Sequence, residues 1–205
     1  LKYERGEGVD KNLGKAKHWY KRAAKQGIAK AQNNLAIFYD EGIETDVDLD
    51  RAYTLFKRAA KNGNVDGLFN VGMYYFHGKS VEKDFEQALN WFKKADQKNH
   101  PVASYMIGVF YEQGFGVEQD FVEAKRWYNK SSKSGNVDAT YNLAVLYFQG
   151  LGGQKDLVKA EQYFHKAAKW GDKNAQFNLG VMFYNGQGVT KDHLQAYIWF
   201  ALASA

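Results

Sequence analysis

The chain has 205 residues, with 28 Lys plus Arg against 23 Asp plus Glu, 45% hydrophobic and 16% aromatic residues, 20 Gly, one Pro and no Cys. That apolar content supports a large core and excludes a disordered chain; no run of about 18 apolar residues occurs, which excludes a membrane-spanning helix, and a net charge of +5 is too dilute for a nucleic-acid tail. Without Cys there is no disulfide, thiolate nucleophile or cysteine-ligated metal, and many glycines with one proline point to short helices stopped by glycine rather than to an all-β fold.

A strict 36-residue period organises everything else: Gly6, Gly42, Gly78, Gly114, Gly150 and Gly186 are equally spaced, as are Ala16, Ala52, Ala88, Ala124, Ala160 and Ala196. In chain order, residues 1–5 read as the last turn of a helix whose beginning is absent. The first complete unit places Ala31, Leu35, Phe38 and Tyr39 on one stripe of a helix A over about 29–41. A loop of Gly, often a second Gly, and Val follows, as in Gly114-Phe115-Gly116-Val117, and ends in an acid: Asp48, Asp84, Asp120, Asp156 or Asp192, with Asn12 in the first copy. These read as N-caps, with Gln87, Glu123 and Gln195 three residues on completing capping boxes. Ala52, Leu55, Phe56, Ala59 and Ala60 mark helix B over about 49–62, closed by Gly63 in the left-handed C-cap position. The small residues Ala36, Gly72, Gly108, Ala144 and Gly180 mark close approaches that larger side chains overpack. In the unit beginning at 100, Asn99 replaces the turn glycine and His100-Pro101 is expected to open helix A, with Pro at its first position. The final helix, Ala196 to Ala203, is more apolar than its siblings and calls for a cover or makes a sticky end. One hairpin cannot cover its own apolar face, so the units must stack in series. The expectation is a single all-α solenoid domain over 1–205, with a partial repeat 1–27, repeats 28–63, 64–99, 100–135 and 136–171, and a partial repeat 172–205, cut from a longer chain.

The recurring pattern Ala-x-x-x-Leu-Gly/Ala-x-x-Tyr-x-x-Gly-x-Gly-Val-x-x-Asp-x-x-x-Ala-x-x-Trp-x-x-x-Ala-Ala-x-x-Gly resembles the Sel-1-like repeat, a relative of the tetratricopeptide repeat with a longer loop. The resemblance implies a right-handed curved stack and a non-enzymatic adaptor that holds other proteins together, and it points to an exported or periplasmic bacterial protein. One bacterial branch, rich in Cys and linked to β-lactam binding, is a poor match for a chain without Cys.

By analogy with tetratricopeptide arrays, the side of helix A opposite the core lines a concave surface. Its candidate partner-binding residues are Phe69, Asn70, Met73 and Phe76; Tyr105, Val109 and Glu112; Tyr141, Asn142, Val145 and Phe148; and Phe177, Asn178, Val181 and Tyr184. Rigid aromatics on an outward face suit a peptide or partner helix; the competing reading is that neighbouring A helices bury them. The asparagines resemble a position from which tetratricopeptide repeats bond a ligand backbone, against bonds made within the stack. The irregularity around Tyr105 and Met106 marks a central binding segment. Basic residues such as Lys21, Arg22, Lys25, Lys57, Arg58, Lys61, Lys93, Lys94, Lys166 and Lys169 belong to helix B and read as a solvated outer layer, which argues against nucleic acid.

No catalytic set emerges. Asp46-x-Asp48-x-Asp50 opens like a calcium loop, but Arg51 stands where the loop needs Gly and Lys57 where it needs Glu. Ser80-Val81-Glu82-Lys83 matches Ser-x-x-Lys within a loop, the five histidines lack metal spacing and read as surface or turn residues, and the Gly-x-Gly loops lack the strand and Gly-Lys-Ser/Thr of a phosphate cradle. The expectation is a scaffold with no cofactor and no metal, binding another protein and self-associating through its ends. A glycan- or peptidoglycan-binding envelope module is the alternative, and a β-lactam-acting serine enzyme the third reading.

Overall fold

In the computed structural model, which describes residues 2–205, the described residues form twelve α-helices and no strand. They are α1 (Lys2–Arg5), α2 (Leu13–Lys25), α3 (Ala29–Asp40), α4 (Leu49–Lys61), α5 (Val65–His77), α6 (Phe85–Gln97), α7 (Ala103–Gln113), α8 (Phe121–Lys133), α9 (Val137–Gln149), α10 (Leu157–Lys169), α11 (Lys173–Asn185) and α12 (His193–Ser204). Odd-numbered helices are the A helices of the repeat and even-numbered ones the B helices. The chain divides into two compact units, one ending at His100 and the other beginning at Pro101. Within each, every helix packs on the next in sequence, as expected for hairpins that bury one another's apolar stripe.

The loops start and stop the helices by repeated local bonds. The side chains of Asn12, Asp48, Asp84, Asp120, Asp156 and Asp192 accept from the backbone amides of Lys15, Arg51, Gln87, Glu123, Lys159 and Gln195 at 2.8–3.0 Å, so each B helix is capped as predicted. The capping boxes take a different form. The N-cap amides donate instead to a carbonyl of their own A helix, that of Tyr39 for Asp48 at 2.9 Å, Tyr75 for Asp84 at 3.0 Å and Tyr111 for Asp120 at 2.8 Å. The loop is tied across its base, and the donor a box would use is already bonded. Gly78, Gly114, Gly150 and Gly186 close four A helices at φ of 70–78°, where a side chain would be strained.

Helix α7 differs from the expectation. It begins at Ala103, not at Pro101, and has 11 residues against 13 in α5, α9 and α11. Asn64, Asn136 and Asp172 cap the latter three by accepting from the amide three residues on. His100 occupies the same register but lacks that short acceptor, Val102 caps α7 without a side-chain bond, and Pro101 falls in the preceding turn.

The core is built from one insertion repeated along the chain. A ring of helix B lies over the small residue of helix A in the same hairpin: Phe92 over Gly72, Tyr128 over Gly108 and Phe200 over Gly180. A Cβ added to those glycines would meet the rings at 2.7, 2.6 and 2.5 Å. Phe56, Phe92, Tyr128 and Phe164 are at most 2% exposed, as are the alanines from Ala52 to Ala196 in the repeating position.

Helix α12 breaks the pattern on its outward face. Where other B helices carry Arg58, Lys94, Lys130 and Lys166 it has Leu202, and where they carry Thr54, Asn90, Arg126 and Gln162 it has Ile198. Leu194, Tyr197, Ile198 and Leu202 are all exposed, and only Ala196 of this helix is buried. Thr54 and Arg126 stay exposed although a following hairpin is present in the same unit, so that face is not one that stacking covers.

The ring insertion sets a measurable cost. Gly108→Ala is expected to lower the unfolding free energy in guanidinium by about 1–3 kcal/mol, because the new methyl must push the Tyr128 ring off the helix.

Candidate functional site

Each ring that seats helix B also supports a second ring from the outward side of helix A. Phe69 lies on Phe92 at 5.2 Å between centroids, Tyr105 on Tyr128 at 5.9 Å, Tyr141 on Phe164 at 5.8 Å and Phe177 on Phe200 at 5.5 Å. These four candidate aromatics are each backed by helix B of their own hairpin, while Tyr105 and Tyr141 also pack on core clusters that include residues of the following A helix. The result is graded: Phe69, Phe76, Tyr105, Tyr141 and Phe148 are half-buried, as are Met73, Val109, Val145 and Val181, whereas Phe177 and Tyr184 stand 55% and 54% exposed. Four of the fifteen candidates fall in the first unit and eleven in the second.

The asparagines bond within the stack. Asn70 Nδ2 donates to Asn33 Oδ1 at 3.0 Å and Asn178 Nδ2 to the Tyr141 hydroxyl at 3.3 Å. Asn142 faces the Tyr105 and Tyr128 hydroxyls. Burial pushes the Tyr105 phenol up, aided by the Asp138 and Glu112 charges.

Acids on this face are partnered by tyrosines, and the partner follows a sequence rule. Where helix B has Tyr20 or Tyr128, helix A of the same hairpin has Glu4 or Glu112, and the hydroxyl donates to that carboxylate. Where helix B has Phe92 or Phe164, helix A has Phe76 or Phe148. Burial and the bond to Glu4 push the Tyr20 phenol up to about 12, and burial with the Glu112 bond raises that of Tyr128 further.

Asp40 is the exception. Its hairpin partner is Phe56, which has no hydroxyl, and the carboxylate is bonded from the side instead: the Tyr74 hydroxyl donates to Oδ1 at 2.6 Å and Lys79 Nζ stands 3.3 Å from the same atom. Tyr74 is itself fixed, stacked on Tyr53 at 5.7 Å and edge-on to Phe56 at 5.5 Å. Burial, then the Asp40 bond, raises its phenol far above the ordinary range. Between α3 and α5 this leaves a cavity of about 320 Å³, lined by the apolar Ile37, Phe56, Phe69 and Met73 and by the polar Asp40, Glu41, Asn70, Tyr74, His77 and Lys79. Three sequence-predicted residues, Phe69, Asn70 and Met73, thus meet around a carboxylate that sequence reasoning left out. The Tyr–Glu and Phe–Phe matching across hairpins was the available signal, since Asp40 opposite Phe56 breaks it.

Elsewhere the outer layer is basic and largely solvated. A cleft of about 580 Å³ between α2 and α4 is lined by Lys21, Lys25, Arg51 and Arg58, and several cations lie over indoles, Lys94 on Trp91 at 4.3 Å and Arg22 on Trp19 at 4.8 Å. Lys166 departs from it, donating to the Ser132 carbonyl at 3.1 Å. The Ser-x-x-Lys pair is apart in function: Ser80 donates to Asp50 while the Lys83 ammonium sits 4.9 Å from the Phe85 ring centroid. No cluster of three or more metal-ligating side chains occurs among the described residues. His100 is a correction to the surface reading of the histidines. Its side chain is only 8% exposed, stacked on Phe69 at 4.3 Å and 3.7 Å from Asp66, and burial lowers its pKa despite that charge.

Helical hairpins repeated every 36 residues, each completed by its neighbour within a unit, define an α-solenoid of the tetratricopeptide kind. The Sel1 repeat model matches residues 3–28, 29–64, 65–100, 101–136, 137–172 and 173–205, and the chain belongs to the Sel1 repeat family. Among solved structures, c5321, a protective antigen of uropathogenic Escherichia coli strains displaying an SLR fold, is 32% identical with a TM-score of 0.95 over 99% of this chain and 44% of that one. The present chain therefore spans less than half of the length of that relative. A Sel1 repeat protein from Oxalobacter formigenes is 32% identical with a TM-score of 0.90, covering 99% of this chain and 83% of that one. A Klebsiella pneumoniae sel1 repeat protein at 21% identity, with a TM-score of 0.57 over 92% of this chain and 91% of that one, shares the fold. No curated protein matches the chain. Sel1 repeat proteins are generally protein–protein interaction scaffolds, and no catalytic family matches.

Two outcomes follow. Tyr128→Phe is expected to cost about 1–3 kcal/mol in urea unfolding by stripping a half-buried carboxylate of its donor, while Tyr128→Phe with Glu112→Phe recovers most of the loss, since two other hairpins use that pair. For His100, a native pKa below 6.5 means that the unfolded chain binds more protons in the window between the two values. Stability should fall as pH drops through 6.5 toward the native pKa, and His100→Phe, which keeps a ring on Phe69, should flatten that slope in urea midpoints taken across the window.

Proposed function

We propose that this chain is a non-enzymatic scaffold that captures an extended peptide or a helix of another protein along its A-helix face. The observation that carries the reading is the strip on α9 and α11, where Phe177 and Tyr184, more than half exposed, adjoin the face bearing Val145, Phe148 and Val181. Rigid aromatics held from below lose little freedom when a partner covers them. Phe200 backs Phe177 at 5.5 Å and His193 stands edge-on to Tyr184 at 5.1 Å, which makes the two residues anchors rather than mobile surface groups. An exported or periplasmic setting is part of the proposal, and similarity to a protective antigen present in uropathogenic Escherichia coli strains is in keeping with it.

Crosslinked pull-down from a native lysate tests this. Phe177→Ala with Tyr184→Ala should reduce partner recovery about tenfold or more at unchanged Tm; undiminished recovery would sink the reading. The companion pair Tyr105→Ala and Tyr141→Ala asks whether the footprint includes α7, and unchanged capture in a folded protein removes that segment from it. A soluble envelope glycan that quenched Tyr and Trp emission without any protein present would transfer the same rings to sugar recognition.

Self-association is favoured by a separate observation, the uncharged outward stripe Leu194, Tyr197, Ile198 and Leu202 on α12. Two copies can pair such stripes without like-charge repulsion. Sedimentation velocity should show concentration-dependent mass that Ile198→Lys with Leu202→Lys abolishes; a monomer throughout the micromolar range counts against it.

A further inference from the structure

We infer that the cavity between α3 and α5 is a specificity pocket for a basic side chain, arginine or lysine, of the captured peptide. The inference rests on the peptide-scaffold reading above and supplies what that reading lacks, the chemistry of the ligand.

The cavity's shape and its charge point to the same occupant. At about 320 Å³ it is at the small end of ligand pockets, the scale of a single side chain with water rather than of a whole ligand. Its walls, Ile37, Phe56, Phe69 and Met73, are apolar and suit a methylene stem. The lining also carries Asp40 and Glu41, which stand at the C-terminal end of α3, where the helix dipole itself favours positive charge. Asp40 is held in place from one side by Tyr74, a donor locked between Tyr53 and Phe56.

The protein already seats one ammonium at this carboxylate. Lys79, from the loop that follows α5, reaches Asp40 Oδ1 at 3.3 Å, and its side chain is 43% exposed. A half-exposed ion pair of this kind contributes little to stability, so the lysine is a tethered competitor that a ligand cation displaces. The other hairpins offer no such opening, because Glu112 is met from below by Tyr128, and Phe76 and Phe148 carry no charge. Most basic residues of the first unit, among them Lys21, Arg22, Lys25, Lys57, Arg58 and Lys61, lie on its B helices, whereas Lys30 is the one cation on α3 and α5 carries no Lys or Arg. A cationic peptide is therefore drawn to the A-helix face of that unit and repelled from the other.

The test is a nitrogen-15 NMR titration of the full chain with three blocked tripeptides, acetyl-Ala-Arg-Ala-amide, its citrulline isostere and its glutamate counterpart. The arginine peptide should shift the amides of Asp40, Glu41, Asn70, Met73 and His77 and bind about tenfold more tightly than the citrulline peptide, as expected when a charge-assisted bond becomes a neutral one. Asp40→Asn should erase that preference. Lys79→Met, which removes the competitor and leaves Tyr74 and Asp40 in place, should tighten arginine binding by about two- to fivefold. Equal binding of arginine and citrulline peptides, shifts confined to other surfaces, or weaker binding in Lys79→Met overturns the pocket. Partner recovery undiminished in Phe177→Ala with Tyr184→Ala, with the arginine preference intact, counts against the scaffold reading and leaves the pocket standing; recovery that those substitutions abolish, without any arginine response here, does the reverse.

Discussion

Each hairpin closes because a ring from helix B lies against a residue of helix A too small to push it away. Phe92 on Gly72, Tyr128 on Gly108 and Phe200 on Gly180 leave no room for a methyl in the present geometry, and Ala36 and Ala144 mark the same contact elsewhere. Dispersion falls off steeply with distance, so such a contact works only at close range. The ring then serves two layers at once: its inner side seals the core, and its outer side supports Phe69, Tyr105, Tyr141 or Phe177. The surface offered to a partner is thus a by-product of the packing that holds the fold.

Charge is sorted by the same geometry. Helix B turns most of its long cations to water, and the stems of some, Arg22 and Lys94 among them, cover indole rings. Helix A has little room for charge beside the helix B ring, and the acids it carries there, Glu4, Asp40 and Glu112, each receive a phenol. A carboxylate half out of water is costly without a donor, which explains why Glu4 and Glu112 accompany Tyr20 and Tyr128 while Phe76 and Phe148 accompany Phe92 and Phe164. Asp40 alone faces a phenylalanine, and the structure answers by borrowing Tyr74 and Lys79 from the next hairpin and its loop, at the expense of a small open cavity.

Much of the architecture was legible in the chain because its rules are local. An acid three residues ahead of an orphan amide caps a helix wherever it occurs, and Asp48, Asp84 and Asp120 do so here. A glycine after the last helical turn adopts the left-handed conformation, as Gly114 does. Where local rules compete, reading the chain failed: Pro101 suited a first helical position, but without an acceptor at His100 the helix starts two residues later. The capping boxes failed for a similar reason, since the amide of Asp84 was claimed by the distant Tyr75 carbonyl. The candidate face fared between these, its aromatics correctly placed on helix A but most of them only half exposed.

By itself the sequence determined the period, the helices, the solenoid class and the side of helix A that is left over, because a 36-residue repeat with a fixed apolar stripe admits few other arrangements. Only the tertiary structure decided which of those leftover residues is an anchor and which is a strut. That depends on what stands behind a side chain in another helix: Tyr128 behind Glu112, Phe56 behind Asp40, Phe200 behind Phe177. Spacing along a chain fixes direction, but depth is set by a partner's volume and hydrogen-bonding atoms, and these come from residues about 16 to 23 positions away.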